Sequence, residues 1–476
     1  MMIERVVAAS LNSIKPKEYA AADIWVGLRA GVDSTVLCHA AAHYCAASGQ
    51  KLTAIHVHHG LSENADDWAK KAQQLCAALS KKYAIEIDCI VEKVQLDQKN
   101  DGLEQAARSA RYEVFNQYCR PNDVLLQGHH LDDQIETFFM RAIRGSGLTG
   151  LASIPKQRSL SRNNSCQILR PLLAIEKTAL IQYAHHHRLS WAEDESNQDS
   201  KMDRNWWRNE LLPQIWQRYP DQKVSLSRTV NTLQHEQKLL QALLQSTLQQ
   251  LMVHAESNKT DDKCHVHPAL QAIPCFDLTM IAAQDEATSV SYLRAWLAQY
   301  VDILPSAMQM QTIYREMVLA RNDSAPAVNW SSSSLFRHQN SVYLMPVDFF
   351  KADNPNIVDH QIYRDAIFDW QGQSLDCFCG YLSCVEQTDI VGLLPTNYAI
   401  RKWQAGDVAK PHGRSTRKMK KWWQDYKVPS WMREHWPIIA NTQTNEIAAV
   451  PGLFVCQGYV TEVGQTGWLV DYSLTV

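Results

Sequence analysis

Three carboxylates follow closely after the short apolar run Val124-Leu-Leu126. Asp132 and Glu136 are four residues apart and Asp133 and Glu136 are three apart, so one face of a helix can gather them. Mg²⁺ prefers a couple of carboxylates together with phosphate oxygens, and this face therefore predicts a site for magnesium and a polyphosphate. Acidic residues in a first helical turn also favour the helix dipole, which by itself would explain one or two of the three.

A second candidate site lies far upstream, in a turn between a strand and a helix. The run Ile24–Leu28 is typical of a short apolar strand, and an amphipathic helix is predicted to begin near Ser34. The first turn of a helix presents unpaired N–H groups and the positive end of the dipole, which together attract a phosphate. The predicted cofactor contacts in this turn are Arg29, Ala30, Gly31, Val32, Asp33 and Ser34.

The two candidate sites need elements that bring them together. Over the first 150 residues, strand signals alternate with helix signals. Further strands are predicted at Leu52–Val57, Ile85–Val91 and Val124–Leu126, and helices from Asn64 and over 102–120. This alternation predicts an α/β fold, a parallel sheet with helices on both faces. Ligands of such sheets lie beyond the carboxyl ends of the strands, where both candidate sites fall.

The turn resembles the pyrophosphate loop Ser-Gly-Gly-x-Asp-Ser of the N-type ATP pyrophosphatases, which Gly31, Asp33 and Ser34 match. With Gly128-His-His-Leu-Asp-Asp-Gln-Ile-Glu-Thr137 and His56-Val-His-His-Gly-Leu-Ser62, the chain resembles the tRNA(Ile)-lysidine synthetases of that superfamily, in patches up to its last residues. Arg29 and Ala30 depart from the family, which has Ser and Gly there. Arginine could grip the phosphates or fill their site, and alanine resists a positive φ, so we predict weakened adenylation with tRNA binding retained.

The resemblance implies a ligase that uses ATP and Mg²⁺ to modify the wobble cytidine of the isoleucine tRNA with a CAU anticodon. The C2 oxygen is adenylated, and L-lysine then replaces it to give lysidine. The implied N-terminal domain is Rossmann-like and binds the nucleotide, and a homodimer is one candidate assembly. By the same resemblance, the residues tied to catalysis or substrate handling are Asp33, Arg111, Glu136 and Arg204, and those of the nucleotide pocket include His56, His58, Gly128 and His129.

The length of 476 residues predicts about three domains. We place a catalytic domain at 1–220, a helical domain at 221–350 and a mixed α/β domain that binds tRNA at 351–476. A stripe of leucine and valine from Leu226 to Leu251 has helical spacing, and core packing of a helical domain explains it. Pro346–Asp359 is predicted to be a linker because it has two prolines and little apolar periodicity.

The whole chain is not basic, with 47 Lys and Arg against 50 Asp and Glu, so a nucleic-acid footprint must be local. From Lys410 to Lys427 there are seven basic residues and one acid, interleaved with Trp422, Trp423 and Tyr426. Basic and aromatic residues together suit phosphate contacts and base stacking. The alternative is a solvated helix with its tryptophans buried beneath it. The predicted tRNA contacts are Arg141, Arg144, Arg208, Arg414, Arg417, Lys418, Lys420 and Lys421.

No secretory signal or membrane span is visible after Met1, and the 12 cysteines show no paired spacing, so we expect a cytoplasmic protein with reduced thiols. Two clusters are weak candidates for zinc: the histidines at 56, 58 and 59, and the cysteines at 377, 379 and 384. Neither has a complete ligand set nearby.

Three other functions stay open. A tRNA thiolase of the same superfamily would be expected to carry paired cysteines, and no Cys-x-x-Cys occurs here. An amidotransferase of the same fold would not need the basic and aromatic stretch near the C-terminus. A non-catalytic tRNA-binding relative is best supported by Arg29.

Overall fold

The described residues of this computed structural model form two compact units, Met1–Gln241 and Ala242–Val476. Among the described helices, none combines the length and the apolar character that a membrane crossing requires. The structure describes residues 2–14, 22–60, 62–96, 103–193, 203–220, 222–257, 270, 273–321, 324–350, 361–362, 374–377, 380–388, 392–394, 396–462 and 465–474.

The first unit is built on a six-stranded sheet with the order β3-β2-β1-β4-β6-β5. All neighbouring strands are parallel except β5, which is antiparallel to β6. Its strands are β1 (Ile24–Gly27), β2 (Leu52–His58), β3 (Ile87–Lys93), β4 (Val124–Leu126), β5 (Gln157–Ser159) and β6 (Gln167–Leu169). Its helices are α1 (Met2–Asn12), α2 (Val32–Ser48), α3 (Ala65–Tyr83), α4 (Leu103–Tyr118), α5 (Leu131–Ile143), α6 (Leu148–Leu151), α7 (Lys177–His186), α8 (Asp203–Trp206, continued by a π turn at Trp207–Leu211) and α9 (Leu212–Arg218).

Helices cover both faces of this sheet because its central strands are apolar on both sides. Ile24 and Val26 of β1 lie in a core cluster with α1, α2 and α7, whereas Trp25 lies in a second cluster with Phe115 of α4 and Ile168 of β6. Successive side chains of a strand point to opposite faces, so the continuous apolar run of β1 serves both cores. The predicted parallel α/β fold is confirmed.

The long helix α10 (Gln222–Ser257) carries the predicted leucine-rich stripe, and the boundary between the two units falls within it. Val230 is buried in the first unit and Leu248 in the second. The region 221–350 contains α11 (Glu286–Leu297) and α12 (Ala307–Ile313, continued by a π turn at Tyr314–Val318). It also contains a sheet in addition to the predicted helices, ordered β7-β10-β9-β8, whose antiparallel strands are β7 (Cys275–Asp277), β8 (Ala327–Trp330), β9 (Ser333–His338) and β10 (Ser341–Pro346).

The last part of the chain is rich in strands, as predicted for a mixed domain. Its core contains Trp422, Trp423 and Trp436, all fully buried. Most of the predicted linker Pro346–Asp359 lies outside the described residues, as does Cys379. The elements are β11 (Gln361–Ile362), β12 (Ser374–Cys377), β13 (Gly380–Thr388), β14 (Tyr398–Arg401), β15 (Val408–Ala409), β16 (Arg417–Lys418), α13 (Met419–Asp425), α14 (Ser430–Arg433), β17 (Ile438–Asn441), β18 (Ile447–Val450), β19 (Phe454–Val455) and β20 (Thr466–Leu474).

Candidate active site

The early turn and the acidic block meet at the carboxyl edge of the sheet. β1 and β4 are hydrogen-bonded neighbours, so the turn after β1 lies beside the segment after β4. A Cβ on Gly128 would lie 3.2 Å from the backbone of Asp33, so any side chain here would crowd the close approach. His130 bridges the two segments, with its Nε2 3.7 Å from Asp33 Oδ2. We call this group, completed by Asp132, Asp133, Glu136, Arg204 and Arg208, the junction site.

The turn keeps a compact shape despite its departures from the pyrophosphate loop. Ala30 has a φ of +61°, the left-handed conformation that glycine adopts most easily, and its side chain is buried. The Arg29 amide donates to Ser34 Oγ at 3.1 Å, and that hydroxyl donates to the Gly31 carbonyl at 3.1 Å. The expected conflict between alanine and a positive φ is therefore taken up as local strain in Ala30, while the side chain of Arg29 is exposed.

The His130 ring lies among three of the carboxylates of the junction site. It is 1% exposed, and besides Asp33 its ring nitrogens lie 3.6 Å from Asp132 Oδ2 and 3.5 Å from Asp133 Oδ2. Burial lowers the pKa of His130, but the close carboxylates of Asp132, Asp133 and Asp33 outweigh it, so the pKa is raised. Burial raises the pKa of Asp33 in spite of the histidine, and its Oδ1 is buried without a hydrogen-bond partner.

Two arginines of α8 and its π turn hold the next two carboxylates. Glu136 is fully buried and accepts from Arg204 Nε at 2.9 Å and from Arg208 Nε at 2.6 Å. Both guanidinium groups also donate to Asp133 Oδ1, at 2.9 Å from Arg204 and 3.2 Å from Arg208. Burial alone would raise the pKa of Asp133, but His130 and Arg204 lower it to about 2. Arg208, predicted to contact tRNA, is thus engaged with the acidic block.

Asp132 has different partners from Asp133 and Glu136. It accepts from the Lys177 amide at 3.0 Å and from Lys223 Nζ at 3.0 Å. The nearby His130 ring and these two hydrogen bonds keep the pKa of Asp132 below its usual range despite burial. The three predicted magnesium ligands therefore share a helix but have different partners. Lys177 and Lys223 were missed from the sequence because no spacing links them to Asp132, from which they are separated by 45 and 91 positions.

The histidine loop after β2 borders the same edge of the sheet. His56 Nδ1 donates to the Leu28 carbonyl at 2.9 Å, and His58 Nε2 lies 3.2 Å from Asp66. Arg111 lies 3.5 Å from His59, whose pKa is lowered to about 4 by burial and by the charges of Arg111 and Arg29. The histidines have separate partners, so the loop does not converge on a metal in the way a zinc site requires.

His129 and the arginines of α5 differ in their surroundings. Burial lowers the pKa of His129 to about 3, and its Nδ1 has no hydrogen-bond partner. Arg141 donates to the carbonyls of Gly150 and Ser153, both at 3.0 Å, and so fastens the loop that contains α6. Arg144 is exposed and pairs with Asp203 at 3.1 Å.

In the second unit, the predicted basic residues are exposed and the tryptophans are not. The exposed side chains include Arg414, Arg417, Lys418, Lys420 and Lys421. Trp422 and Trp423 are fully buried, so neither ring is free to stack on a base. The alternative considered from the sequence, a helix with its tryptophans buried beneath exposed charges, describes α13. Arg417 lies over the Trp422 ring at 5.1 Å from its centroid and pairs with Asp425 at 3.1 Å.

Three family models match separate parts of the chain: a PP-loop domain at residues 3–215, a TilS substrate binding domain at 276–343 and a TilS substrate C-terminal domain at 399–472. Each match lies inside one of the predicted domains, whose boundaries stay a prediction.

Full-length relatives are similar over nearly the whole chain. A tRNA(Ile)-lysidine synthase of Vibrio atlanticus (strain LGP32) is 33% identical over 450 residues, covering 93% of this chain and 94% of the relative. Its counterpart in Proteus mirabilis (strain HI4320) is 32% identical, with coverage of 95% and 96%. The one in Coxiella burnetii (strain RSA 493 / Nine Mile phase I) is 30% identical, with coverage of 93% and 91%.

Proposed function

The chain belongs to the tRNA(Ile)-lysidine synthase family, and we propose that its junction site carries out both steps of lysidine formation. ATP adenylates the C2 carbonyl oxygen of the wobble cytidine in the isoleucine tRNA with a CAU anticodon, and pyrophosphate leaves. The ε-amine of free L-lysine then attacks C2, and the C2–O bond breaks as AMP departs with the oxygen. Adenylation turns a poor leaving oxygen into a good one, which is why ATP is used.

The meeting of the early turn with the acidic block is the observation that carries this proposal. A nucleotide lying on the turn would have its phosphates over the first turn of α2, next to Asp33, and beside the segment that begins at Gly128. Backbone approach at Gly128 and the contact between His130 and Asp33 hold the two segments within reach of one ligand.

The chemistry of the donors fits Mg²⁺ at Asp33. Asp33 Oδ1 is a buried oxygen without a hydrogen-bond partner, whereas Asp132, Asp133 and Glu136 each accept from a cationic side chain. Mg²⁺ is held by one or two carboxylates and by phosphate oxygens, so Asp33 would supply one ligand. A carboxylate of the predicted trio would supply a second only by exchanging its cationic partner for the ion. When bound, the ion neutralises the charge that develops on the phosphates.

Glu136 acts in this scheme as a positioning residue. Its buried carboxylate fixes the guanidinium groups of Arg204 and Arg208, which bring positive charge to the place where pyrophosphate and AMP leave. Arg111 and the histidines at 56 and 58 remain predicted to border the adenosine pocket, with Gly128 and His129.

The tRNA body is held by the exposed basic residues of the second unit, and Arg144 is the exposed candidate beside the site. A cytoplasmic location is our further proposal, supported by the nine described cysteines, all of which are free thiols. A homodimer stays a prediction.

Incubation of the full chain with ATP, Mg²⁺, radiolabelled lysine and a CAU-anticodon isoleucine tRNA tests the proposal. Label is expected in the RNA, and omission of ATP should abolish it. Retention of tRNA on the protein without incorporation of label would favour the non-catalytic relative instead. The thiolase alternative is not favoured, because the full-length relatives are lysidine synthases.

The Arg29 and Ala30 departures are tested in the same assay by Arg29→Ser and Ala30→Gly, alone and together. If these residues weaken adenylation, the double variant releases pyrophosphate faster than the natural chain. Arg29→Ser alone reports the effect of the added cation, and Ala30→Gly alone reports the effect of the strained backbone. An unchanged rate in the double variant would show that both positions are tolerated.

A further inference from the structure

Beside the junction site, four side chains form a group that the reaction above does not use. Arg108 and Tyr112 are on α4, Arg158 is on β5, and Arg170 follows β6. The guanidinium carbons of Arg108 and Arg158 lie 5.1 and 4.9 Å from the centroid of the Tyr112 ring. We call this group the arginine–tyrosine cluster.

Gln127 connects the cluster to the end of β4. The Tyr112 hydroxyl lies 3.3 Å from Gln127 Nε2 and 3.4 Å from Gln127 Oε1, within hydrogen-bond distance of both. Gln127 Oε1 also accepts from Arg170 at 2.9 Å. Gln127 directly precedes Gly128, where the strand approaches the early turn. The cluster therefore borders the edge of the sheet at which the nucleotide is proposed to bind.

The cluster carries three positive charges without a matching carboxylate. Within the described part of the chain, none of Arg108, Arg158 and Arg170 forms an ion pair with Asp or Glu. Arg170 donates instead to the Pro155 carbonyl at 2.7 Å and to Gln127 Oε1 at 2.9 Å. Arg170 is only 2% exposed, and its Nε has no hydrogen-bond partner. A buried cation without a counter-charge is costly, which is the situation that a bound anion relieves.

The pKa of the Tyr112 hydroxyl reflects the same excess of positive charge. Burial would raise its pKa, but Arg108, Arg158 and Arg170 lower it to about 7. The three charges that lower this pKa most are all positive, so the local potential favours an anion.

We propose that the arginine–tyrosine cluster binds a phosphodiester group of the tRNA strand that enters the active site. This inference rests on the proposed function, because the strand must bring its wobble base to the junction site. Arg108 is exposed and Arg158 partly so, and guanidinium groups at the rim of a site suit a passing phosphate. A nucleic-acid strand presents a negatively charged phosphate at every nucleotide.

The test measures the affinity of the full chain for the CAU-anticodon tRNA at several salt concentrations. Arg108→Ala and Arg158→Ala are each expected to weaken binding and to reduce the slope of log K against log salt by about one, because each removes one phosphate contact. Arg108→Lys should restore most of the slope by keeping the charge. Arg120→Ala, an exposed arginine of the same unit outside the cluster, is the matched control and should leave affinity and slope unchanged.

Two results would overturn the inference. One is an unchanged affinity and slope in both alanine variants. The other is an unchanged tRNA affinity with a raised KM for lysine or for ATP, which would assign the cluster to a carboxylate or to a nucleotide phosphate. Because Arg108 is exposed, its variants are expected to stay folded, so their tRNA affinity tests the inference even if Arg158→Ala unfolds. If the natural chain itself incorporates no lysine, the proposed function fails independently of these binding data.

Discussion

Ala30 shows how one residue can depart from a loop pattern and still take the backbone shape of the loop. Its φ of +61° lies in the left-handed region, where an L-residue with a Cβ is disfavoured by roughly 1–2 kcal/mol. The surrounding strand and helix impose this conformation, and the Ala30 carbonyl accepts from the Ala192 amide at 2.8 Å. Alanine at position 30 therefore lowers the stability of the fold, while the backbone still follows the path of the loop.

Replacing Ala30 by glycine is expected to raise the free energy of unfolding by about 0.5–1 kcal/mol. Relief of the strain exceeds the extra freedom that glycine adds to the unfolded chain. Urea unfolding of the full chain measures the change. Ala78→Gly, at an exposed position inside α3, is the control and should lower the free energy by about 1 kcal/mol, because there glycine only loses helix propensity. Equal destabilisation by both would contradict the strain.

Asp133 makes stability depend on acid pH. Its pKa is about 2 in the folded chain against an ordinary 3.8, so its contribution is complete above pH 3.8 and is lost as the pH falls through 2. We expect the free energy of unfolding to fall by about 2 kcal/mol over this window for this group. Asp133→Asn is less stable at neutral pH but loses less between pH 4 and 2. Parallel curves for the two proteins would refute the assignment.

At the scale of elements, the site depends on how closely β4 approaches the start of α2. A methyl group on Gly128 would meet backbone atoms of Asp33 and Ser34 at 3.2 Å, and backbone cannot move aside as a flexible side chain can. Misplacement of reacting groups by about 1 Å can cost about a hundredfold in rate, so a shift of a few tenths of an ångström is expected to lower it measurably.

Gly128→Ala is accordingly expected to reduce pyrophosphate release by at least about tenfold, with a smaller effect on stability. Gly147→Ala is the matched control, since a Cβ there meets nothing within 4 Å. Pyrophosphate release with saturating tRNA and ATP measures both variants. A rate for Gly128→Ala equal to that of the control would show that the close approach is not needed for adenylation.

At the scale of the whole molecule, we propose that the first unit activates the base and that exposed basic residues of the second unit add to tRNA binding. The triple variant Lys418→Ala, Lys420→Ala, Lys421→Ala is expected to weaken tRNA binding and to lower the salt slope by about three, because all three side chains are exposed. ATP binding should not change. Lys70→Ala with Lys71→Ala, exposed on α3, is the control. Unchanged tRNA affinity in the triple variant would show that other residues bind the tRNA.

The sequence by itself determined the elements and the two motifs. Apolar runs alternating with helical periodicity were sufficient for the parallel sheet, because its central strands β1 and β4 are buried on both faces. The carboxylates at 132, 133 and 136 and the turn at 29–34 were recognisable from local spacing, and the topology of such a sheet placed both at one edge.

Only the tertiary structure decided which partners these residues have. Arg204 and Arg208 reach Glu136 across 68 and 72 positions, and Lys223 reaches Asp132 across 91, distances at which spacing carries no information. The same holds for Trp422 and Trp423, whose basic neighbours suggested RNA while the core buried both rings. Ion pairs and burial depend on which elements pack together, and packing is a property of the folded chain as a whole.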